Sequence, residues 1–96
     1  MNYNFDWDPN KAKSNHEKHD VTFEEAGTVF RDHRALSLYD HDHSEHEDRW
    51  ITIGISNKGR ALAVCHTFQQ KDDNDATIRI FSARKAAKKE IEQYEE

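Results

Sequence analysis

Three segments in the second half of the chain alternate apolar residues with other residues at a period of two. They cover residues 51–55, 62–68 and 76–82, and this pattern is typical of β-strands that bury one face. The first two are separated by Asn57-Lys58-Gly59, a turn sequence with a glycine available for a positive φ. Short connections favour antiparallel neighbours, so we predict an antiparallel meander. Ile53, Val64 and Ile80 are expected at the centre of its buried face.

Two helices are predicted before this meander. Asp8 followed by Pro9 is a typical helix start, and the helix runs to His19 as an almost entirely polar surface element. Thr22 and Glu25 have the spacing of a capping box. The helix that they open has an apolar stripe formed by Phe23, Ala26 and Phe30.

The remaining elements complete an α+β order. Residues 3–7 and 35–39 alternate as two short strands. The chain ends in a helix with a narrow apolar stripe formed by Ala83, Ala87, Ile91 and Tyr94. We therefore predict a single domain over residues 1–96, with an antiparallel sheet of about four strands, two N-terminal helices and one C-terminal helix.

Composition excludes several classes of protein. The longest apolar run, residues 61–65, is far too short to span a membrane, and the N-terminus lacks the basic and apolar regions of a secretory signal. The one cysteine, Cys65, can form neither an intramolecular disulfide nor a cysteine-based zinc site. It lies in an apolar strand and is expected to be a small buried hydrophobic residue. We expect a cytoplasmic protein without a cofactor.

The formal net charge of −5 is unevenly distributed. Residues 40–48 contain five acidic residues and no Lys or Arg, whereas residues 76–89 contain five basic residues and no acid. A low isoelectric point therefore does not exclude a nucleic-acid substrate, because binding depends on the local field.

The acidic segment 40–48 also contains three histidines, which raises the question of a metal site. His41 and His43 would share one side of an extended segment and could chelate a divalent ion weakly at the surface. The spacing matches no catalytic zinc motif, so a solvated loop is the favoured interpretation.

Cationic residues are the remaining candidates for chemistry. Arg79 lies opposite Ile78 and Ile80 in its strand, and Arg84 and Lys85 follow where that strand is expected to meet the last helix. Lys18 and His19 end the first predicted helix. His66 shares the buried face with Val64 and is either a satisfied core histidine or a catalytic one. Together these residues supply the proton-transfer groups and cations that a metal-free ribonuclease needs.

Several longer strings resemble one known family. They follow one another over nearly the whole chain as Phe5-Asp6-Trp7-Asp8-Pro9-Asn10-Lys11-Ala12, Lys18-His19, Val21-Thr22-Phe23-Glu24-Glu25-Ala26, Asp42-His43-Ser44-Glu45, Arg49-Trp50-Ile51-Thr52-Ile53-Gly54 and Ile78-Arg79-Ile80-Phe81-Ser82-Ala83-Arg84-Lys85-Ala86. In this order they resemble the BrnT family of bacterial type II toxins.

The resemblance implies a RelE-like α+β fold and a ribonuclease that arrests translation. It also implies a BrnA-type antitoxin encoded beside the toxin, which neutralises it in a complex of two toxins with two antitoxins. This complex would repress its own operon through the DNA-binding part of the antitoxin, so that contact with DNA is indirect. No membrane partner is implied.

Combining this resemblance with the cationic residues gives a candidate site without a metal. We assign catalytic roles to Arg79, Arg84, His19 and Lys18, and contacts with the RNA substrate to Lys11, Lys85, Arg49 and His66. Arg79 and Arg84 are expected to hold the scissile phosphate, and His19 is the first candidate for proton transfer, with His66 in reserve.

Two departures from the family pattern keep a second hypothesis open. Asp20 stands where the family often has glycine, a position that Asp can still occupy as a left-handed cap. Phe68-Gln69-Gln70 and the acidic loop Asp72-Asp73-Asn74-Asp75 stand where relatives have a short turn with an arginine. One phosphate contact is then missing, and the chain would be a weakened toxin-fold module that mainly binds its antitoxin and co-represses the operon.

Overall fold

Five strands form one mixed sheet in the computed structural model, which describes all 96 residues. The strands are β1 (Asn2–Asp6), β2 (Leu36–Tyr39), β3 (Trp50–Ile55), β4 (Ala61–Gln70) and β5 (Asp75–Lys85). The helices are α1 (Pro9–His19), α2 (Phe23–Thr28) and α3 (Lys88–Glu95), and two short 3₁₀ turns cover Val29–Arg31 and His41–His43. The strand order across the sheet is β1-β5-β4-β3-β2.

The mixed α+β class is confirmed, but the prediction of an antiparallel sheet of about four strands was wrong in detail. Strands β2 to β5 pair antiparallel, as the short connections indicated. The fifth strand, β1, lies parallel to β5, with Asn2 opposite Asp75 and Asp6 opposite Arg79. This long-range pairing brings the first residues of the chain beside the last strand.

The register divides the buried strand residues between two faces of the sheet. Val64 pairs with Ala83 and Thr52 on what we call the core face. Helix α2 packs there over a cluster made of Val21, Phe23, Ala26, Val29, Leu62, Val64, Ile78, Ile80 and Ala83. Ile53 pairs with Ala63 on the opposite face, which we call the second face. The expectation that Ile53 shares a face with Val64 and Ile80 was therefore wrong, although all three are fully or almost fully buried.

The caps of α1 are as the sequence predicts. Asp8 accepts a hydrogen bond from the backbone N–H of Asn10 at 2.8 Å, and Pro9 occupies the first turn. Asp20 ends the helix with φ = 56° and donates its backbone N–H to the carbonyl of His16 at 2.9 Å. Asp20 thus adopts the left-handed cap that glycine often supplies.

The predicted capping box of α2 forms only by half. Thr22 Oγ1 accepts from the backbone N–H of Glu25 at 3.1 Å. The Glu25 carboxylate is buried and does not return to Thr22, because Arg60 Nε donates to it at 2.9 Å and the Ser56 hydroxyl donates at 2.7 Å. This partly buried ion pair ties α2 to the β3–β4 hairpin, and the Arg60 guanidinium lowers the pKa of Glu25.

The last helix begins later than predicted. Strand β5 continues to Lys85, so Ala83 belongs to the strand and to the core cluster rather than to a helical stripe. The backbone N–H of Ala87 donates to Glu90 Oε1 at 2.7 Å at the start of α3. Tyr94 then donates its hydroxyl to Asp32 Oδ2 at 2.6 Å, which fastens α3 over the β2–β3 side of the second face.

The remaining sequence expectations concern the histidine-rich segment, Cys65 and membrane spans. His43 Nδ1 lies 2.9 Å from Asp40 Oδ2, but no three potential metal ligands come together anywhere in the structure. Cys65 is half-buried on the second face, opposite Ser82, and not fully buried as expected. None of the helices is both long and apolar enough to cross a membrane.

Truncating Ile53, Val64 or Ile80 to alanine is expected to lower the free energy of unfolding by about 2–4 kcal/mol each, because each change leaves a cavity in a buried layer. Ile55→Ala is the matched control, since this exposed residue of the same strand as Ile53 should change stability by less than about 1 kcal/mol. Chemical denaturation measures all four, and buried-position variants that melt like the parent would contradict the assignment of faces.

Candidate active site

A β-bulge in β5 brings the cationic and aromatic residues of this strand onto one face. Cys65 pairs with Ser82 and His66 pairs with Ile80, so Phe81 is an extra residue without a partner of its own in β4. Arg79 and Arg84 are five residues apart and would lie on opposite faces of a regular strand. Because the bulge inserts one residue, Arg79, Phe81, Ser82 and Arg84 all lie on the second face.

Two cations from other elements lie over the Phe81 ring. The guanidinium carbon of Arg49, which precedes β3, is 4.1 Å from the ring centroid. The Nζ atom of Lys11, on α1, is 5.4 Å from it. Both distances are within the range of cation–π attraction. Phe81 is therefore the point at which α1, β3 and β5 present their charges together.

The side chain of Asn15 fixes the position of α1 beside β5. Its Oδ1 accepts from the backbone N–H of Ala83 at 3.1 Å, and its Nδ2 donates to the carbonyls of Ala83 at 2.8 Å and Val21 at 3.0 Å. The carboxamide thus replaces a neighbouring strand at the edge of β5 that β1 no longer covers. This arrangement forms a shallow hollow of about 230 Å³, lined by Lys11, Ser14, Asn15, Lys18, His19, Phe81 and Ser82.

Arg79 and Arg84 are both paired with carboxylates. Arg79 donates to Asp6 of β1, and Arg84 makes a two-bond contact with Glu90 of α3 at 2.7 and 3.0 Å. The Arg84 guanidinium lowers the pKa of Glu90, and Glu90 raises the pKa of Arg84. The arginine side chains remain 42% and 40% exposed. The Arg79–Asp6 pair is exposed on both sides, and such pairs contribute only about 0–1 kcal/mol, so a phosphate can replace Asp6 at little cost. Glu90 is only 18% exposed and holds Arg84 more firmly through its two bonds.

Arg49 is held by stacking more than by hydrogen bonds. Its Nε is buried without a hydrogen-bond partner, and one terminal nitrogen donates to Glu47 at 3.3 Å. The guanidinium plane is consequently positioned by the Phe81 ring.

The structure does not bring all eight candidate residues together, because Lys85 and His66 lie away from Phe81 and the cations around it. Lys85 pairs with Leu62 and is exposed at the end of β5 on the core-face side. His66 is buried on the core face, with Nε2 2.6 Å from Thr52 Oγ1 and Nδ1 3.0 Å from the Thr67 carbonyl. Burial lowers the pKa of His66, which favours the neutral imidazole. His66 therefore has the partners of a satisfied core histidine.

Stability is expected to fall as the pH drops below about 6.5, the ordinary pKa of histidine, because His66 is protonated more readily in the unfolded chain than in the fold. In that range the unfolded state binds more protons, so the free energy of unfolding decreases as the pH falls. Denaturation at pH 5–8 tests this effect. His66→Gln should flatten the slope, and an unchanged slope would assign it to other groups.

We name Lys11, Lys18, His19, Arg49, Arg79, Phe81 and Arg84 the cationic site. Phe81 is the member to which sequence reasoning gave no role, although a period of two already places it on the same face as Arg79. An aromatic ring bordered by Lys and Arg is suited to a single-stranded nucleic acid, since bases stack on the ring while the cations contact phosphates.

Comparison with known proteins agrees with this chemistry. A family model described as the ribonuclease toxin BrnT of type II toxin–antitoxin systems matches residues 7–90, a range that includes the whole cationic site. The crystal structure of the Brucella abortus ribonuclease toxin BrnT is similar in fold, with a TM-score of 0.63 and 20% sequence identity. The alignment covers 92% of this chain and 100% of the Brucella chain. No curated protein sequence gives a significant match. The chain therefore belongs to the BrnT family of ribonuclease toxins of type II toxin–antitoxin systems.

Proposed function

We propose that this protein is a metal-independent endoribonuclease that cleaves RNA at the cationic site and thereby arrests translation. The observation that carries the proposal is the position of Phe81 on the same sheet face as Arg79 and Arg84, with Lys11 and Arg49 within cation–π distance of its ring. Family membership supports ribonuclease activity. The family resemblance further supports a RelE-like arrangement of the sheet.

In this proposal the cationic site binds RNA through two kinds of contact. A base stacks at Phe81, while Lys11 and Arg49 contact the flanking phosphates. Arg79 and Arg84 release Asp6 and Glu90 to hold the scissile phosphate and stabilise the negative charge that develops on it. His19 and Lys18, across the hollow, are the candidates for moving protons from the 2′-OH and to the leaving 5′-oxygen.

The family also implies an antitoxin as partner. We propose that it is a BrnA-type protein encoded beside the toxin, that two copies of each chain assemble together, and that DNA is contacted only through the antitoxin. The cytoplasm, which contains both the RNA and the operon, is the proposed compartment.

The ion pairs of Arg79 and Arg84 favour a second candidate function. If Asp6 and Glu90 keep these arginines occupied, and the acidic loop Asp72–Asp75 supplies no phosphate contact, the chain is a weakened nuclease. Its main role would then be to bind the antitoxin and co-repress the operon.

Expression with and without the antitoxin separates the two functions. An active ribonuclease stops growth and degrades cellular RNA when expressed alone, and co-expression of the antitoxin restores both. A weakened module leaves growth and RNA intact in either case but still co-purifies with the antitoxin, which would overturn our first proposal.

RNA cleavage by the purified protein is expected to continue unchanged in EDTA, because no group of three His, Cys, Asp or Glu side chains is arranged to hold a metal. The measurement is the cleavage rate before and after chelation. Loss of activity that a single divalent metal restores would show that the proposed chemistry is wrong.

A further inference from the structure

The helices leave one end of the core face uncovered. There Tyr3, Phe30, Trp50, His66 and Phe68 surround a hollow of about 370 Å³, together with Ser37 and Asp48. We name this feature the aromatic hollow. Tyr3 and Phe68 are 40% and 42% exposed, which is unusual for large apolar side chains placed side by side and is typical of an interaction site.

The rings of the aromatic hollow support one another. The centroid of Tyr3 lies 6.3 Å from that of Phe30 and 6.4 Å from that of Phe68, both with edge-on geometry. Phe30 in turn lies 4.8 Å from the His66 ring, again edge-on. Walls fixed in this way lose little conformational freedom when they bind an apolar side chain.

Acidic segments lie at the same end of the sheet. Residues 40–48 lie between β2 and β3, and residues 71–75 form the β4–β5 turn with the first residue of β5. Together these two segments hold eight of the nineteen acidic residues but only one of the fourteen Lys and Arg. Asp48 lines the aromatic hollow and accepts from the Tyr39 hydroxyl at 2.9 Å. The backbone N–H of Asn2 donates to the carbonyl of Asn74, which holds the second segment next to β1 and Tyr3.

This distribution of charge decides which macromolecule the aromatic hollow can take. An RNA strand would meet carboxylates at both neighbouring loops, and the cationic site that suits RNA is on the opposite face of the sheet. A protein segment with Lys or Arg beside apolar side chains is complementary to both the rings and the acidic loops.

We propose that the aromatic hollow is the docking site for a basic, apolar segment of the antitoxin. The proposal rests on the antitoxin partnership stated above and adds where on this chain the partner binds. It also gives a role to the acidic Asp72–Asp75 loop, whose carboxylates would repel the phosphates of RNA.

Phe68→Ala and Tyr3→Ala test the docking site, because both side chains are partly exposed and lie outside the buried core cluster, so each variant should stay folded with a modestly lower melting temperature. Calorimetric titration of each purified variant with the purified antitoxin is expected to show dissociation constants about 10- to 100-fold higher than the parent, as at an interface hot spot. Ile55→Ala removes an equally exposed side chain from the opposite sheet face and should bind within about twofold of the parent.

Salt dependence tests the electrostatic part. A double variant, Asp72→Asn with Asp73→Asn, should bind more weakly at low salt and show a smaller loss of affinity as salt is added.

Antitoxin binding within twofold of the parent for both Phe68→Ala and Tyr3→Ala would overturn the proposal, as would a parent that binds no antitoxin. Loss of RNA cleavage with unchanged antitoxin binding would assign the aromatic hollow to RNA and overturn it too. Since binding is the readout, a parent that binds the antitoxin but cleaves no RNA would refute only the nuclease.

Discussion

Replacing Arg84 with alanine is expected to lower the rate of RNA cleavage by about 10²–10³-fold, the usual consequence of removing one donor to a developing oxyanion. Arg84 is half-exposed on the same sheet face as Phe81 and shares its guanidinium only with Glu90 and the carbonyl of Lys85. The measurement is the single-turnover cleavage rate of an RNA oligonucleotide, with the melting temperature recorded beside it.

Glu90→Gln is the control that separates catalysis from structure. It removes the charge that occupies Arg84 but keeps a side chain able to accept from the Ala87 N–H. If Arg84 binds phosphate, the Glu90→Gln variant is expected to cleave RNA at least as fast as the parent. If Glu90→Gln and Arg84→Ala lose activity and melting temperature together, the pair only fastens α3 and the catalytic role of Arg84 is refuted.

Glu25→Ala is expected to destabilise the fold by about 1–3 kcal/mol, because it leaves the buried Ser56 hydroxyl without its acceptor and removes the carboxylate that Arg60 contacts. This is an appreciable share of the roughly 5–15 kcal/mol that holds a domain together. The measurement is the midpoint and slope of urea unfolding. Glu24→Ala, at the exposed neighbouring position, is the matched control and should change stability by no more than about 0.5 kcal/mol.

Protonation of Glu25 is also expected to lower the free energy of unfolding at acid pH. The pKa of Glu25 is lowered in the fold, so its stabilising effect is complete above its ordinary pKa of 4.5 and is lost as the pH falls through the folded value. In Glu25→Ala the loss of stability below pH 4.5 should be smaller than in the parent. A Glu25→Ala variant as stable as the parent would mean that Arg60 finds another partner.

The local elements of this fold follow from short-range patterns, and its long-range pairings do not. The alternation at residues 3–7 predicts a strand, yet nothing in it indicates a parallel partner 73 residues away. Thr22 and Glu25 have capping-box spacing, but Arg60 and the buried Ser56 hydroxyl bind the carboxylate away from the helix end. Ala83 has helical spacing with Ile91, whereas sheet pairing extends β5 past it.

The candidate site was predictable in composition and not in geometry. Sequence reasoning selects Lys11, Lys18, His19, Arg49, Arg79 and Arg84, and these cations do lie on α1 or on the second face. A period of two places Arg79 and Arg84 on opposite faces, and only the bulge at Phe81 corrects this. For His66 the residue type suggested a role in proton transfer. Its hydrogen bonds are instead those of a buried structural group.

The location of bound RNA tests the central claim most directly. A 2′-O-methyl oligonucleotide lacks the nucleophilic 2′-OH, so it can bind without being cleaved, and its contacts can be mapped by amide chemical-shift changes during titration. Our account predicts that the largest shift changes occur at the amides of Lys11, His19, Arg49 and Ser82, and that the amide shifts of Tyr3 and Phe68 on the core face do not change. Shift changes centred on Tyr3, His66 and Phe68, with no change at the amides around Phe81, would contradict it.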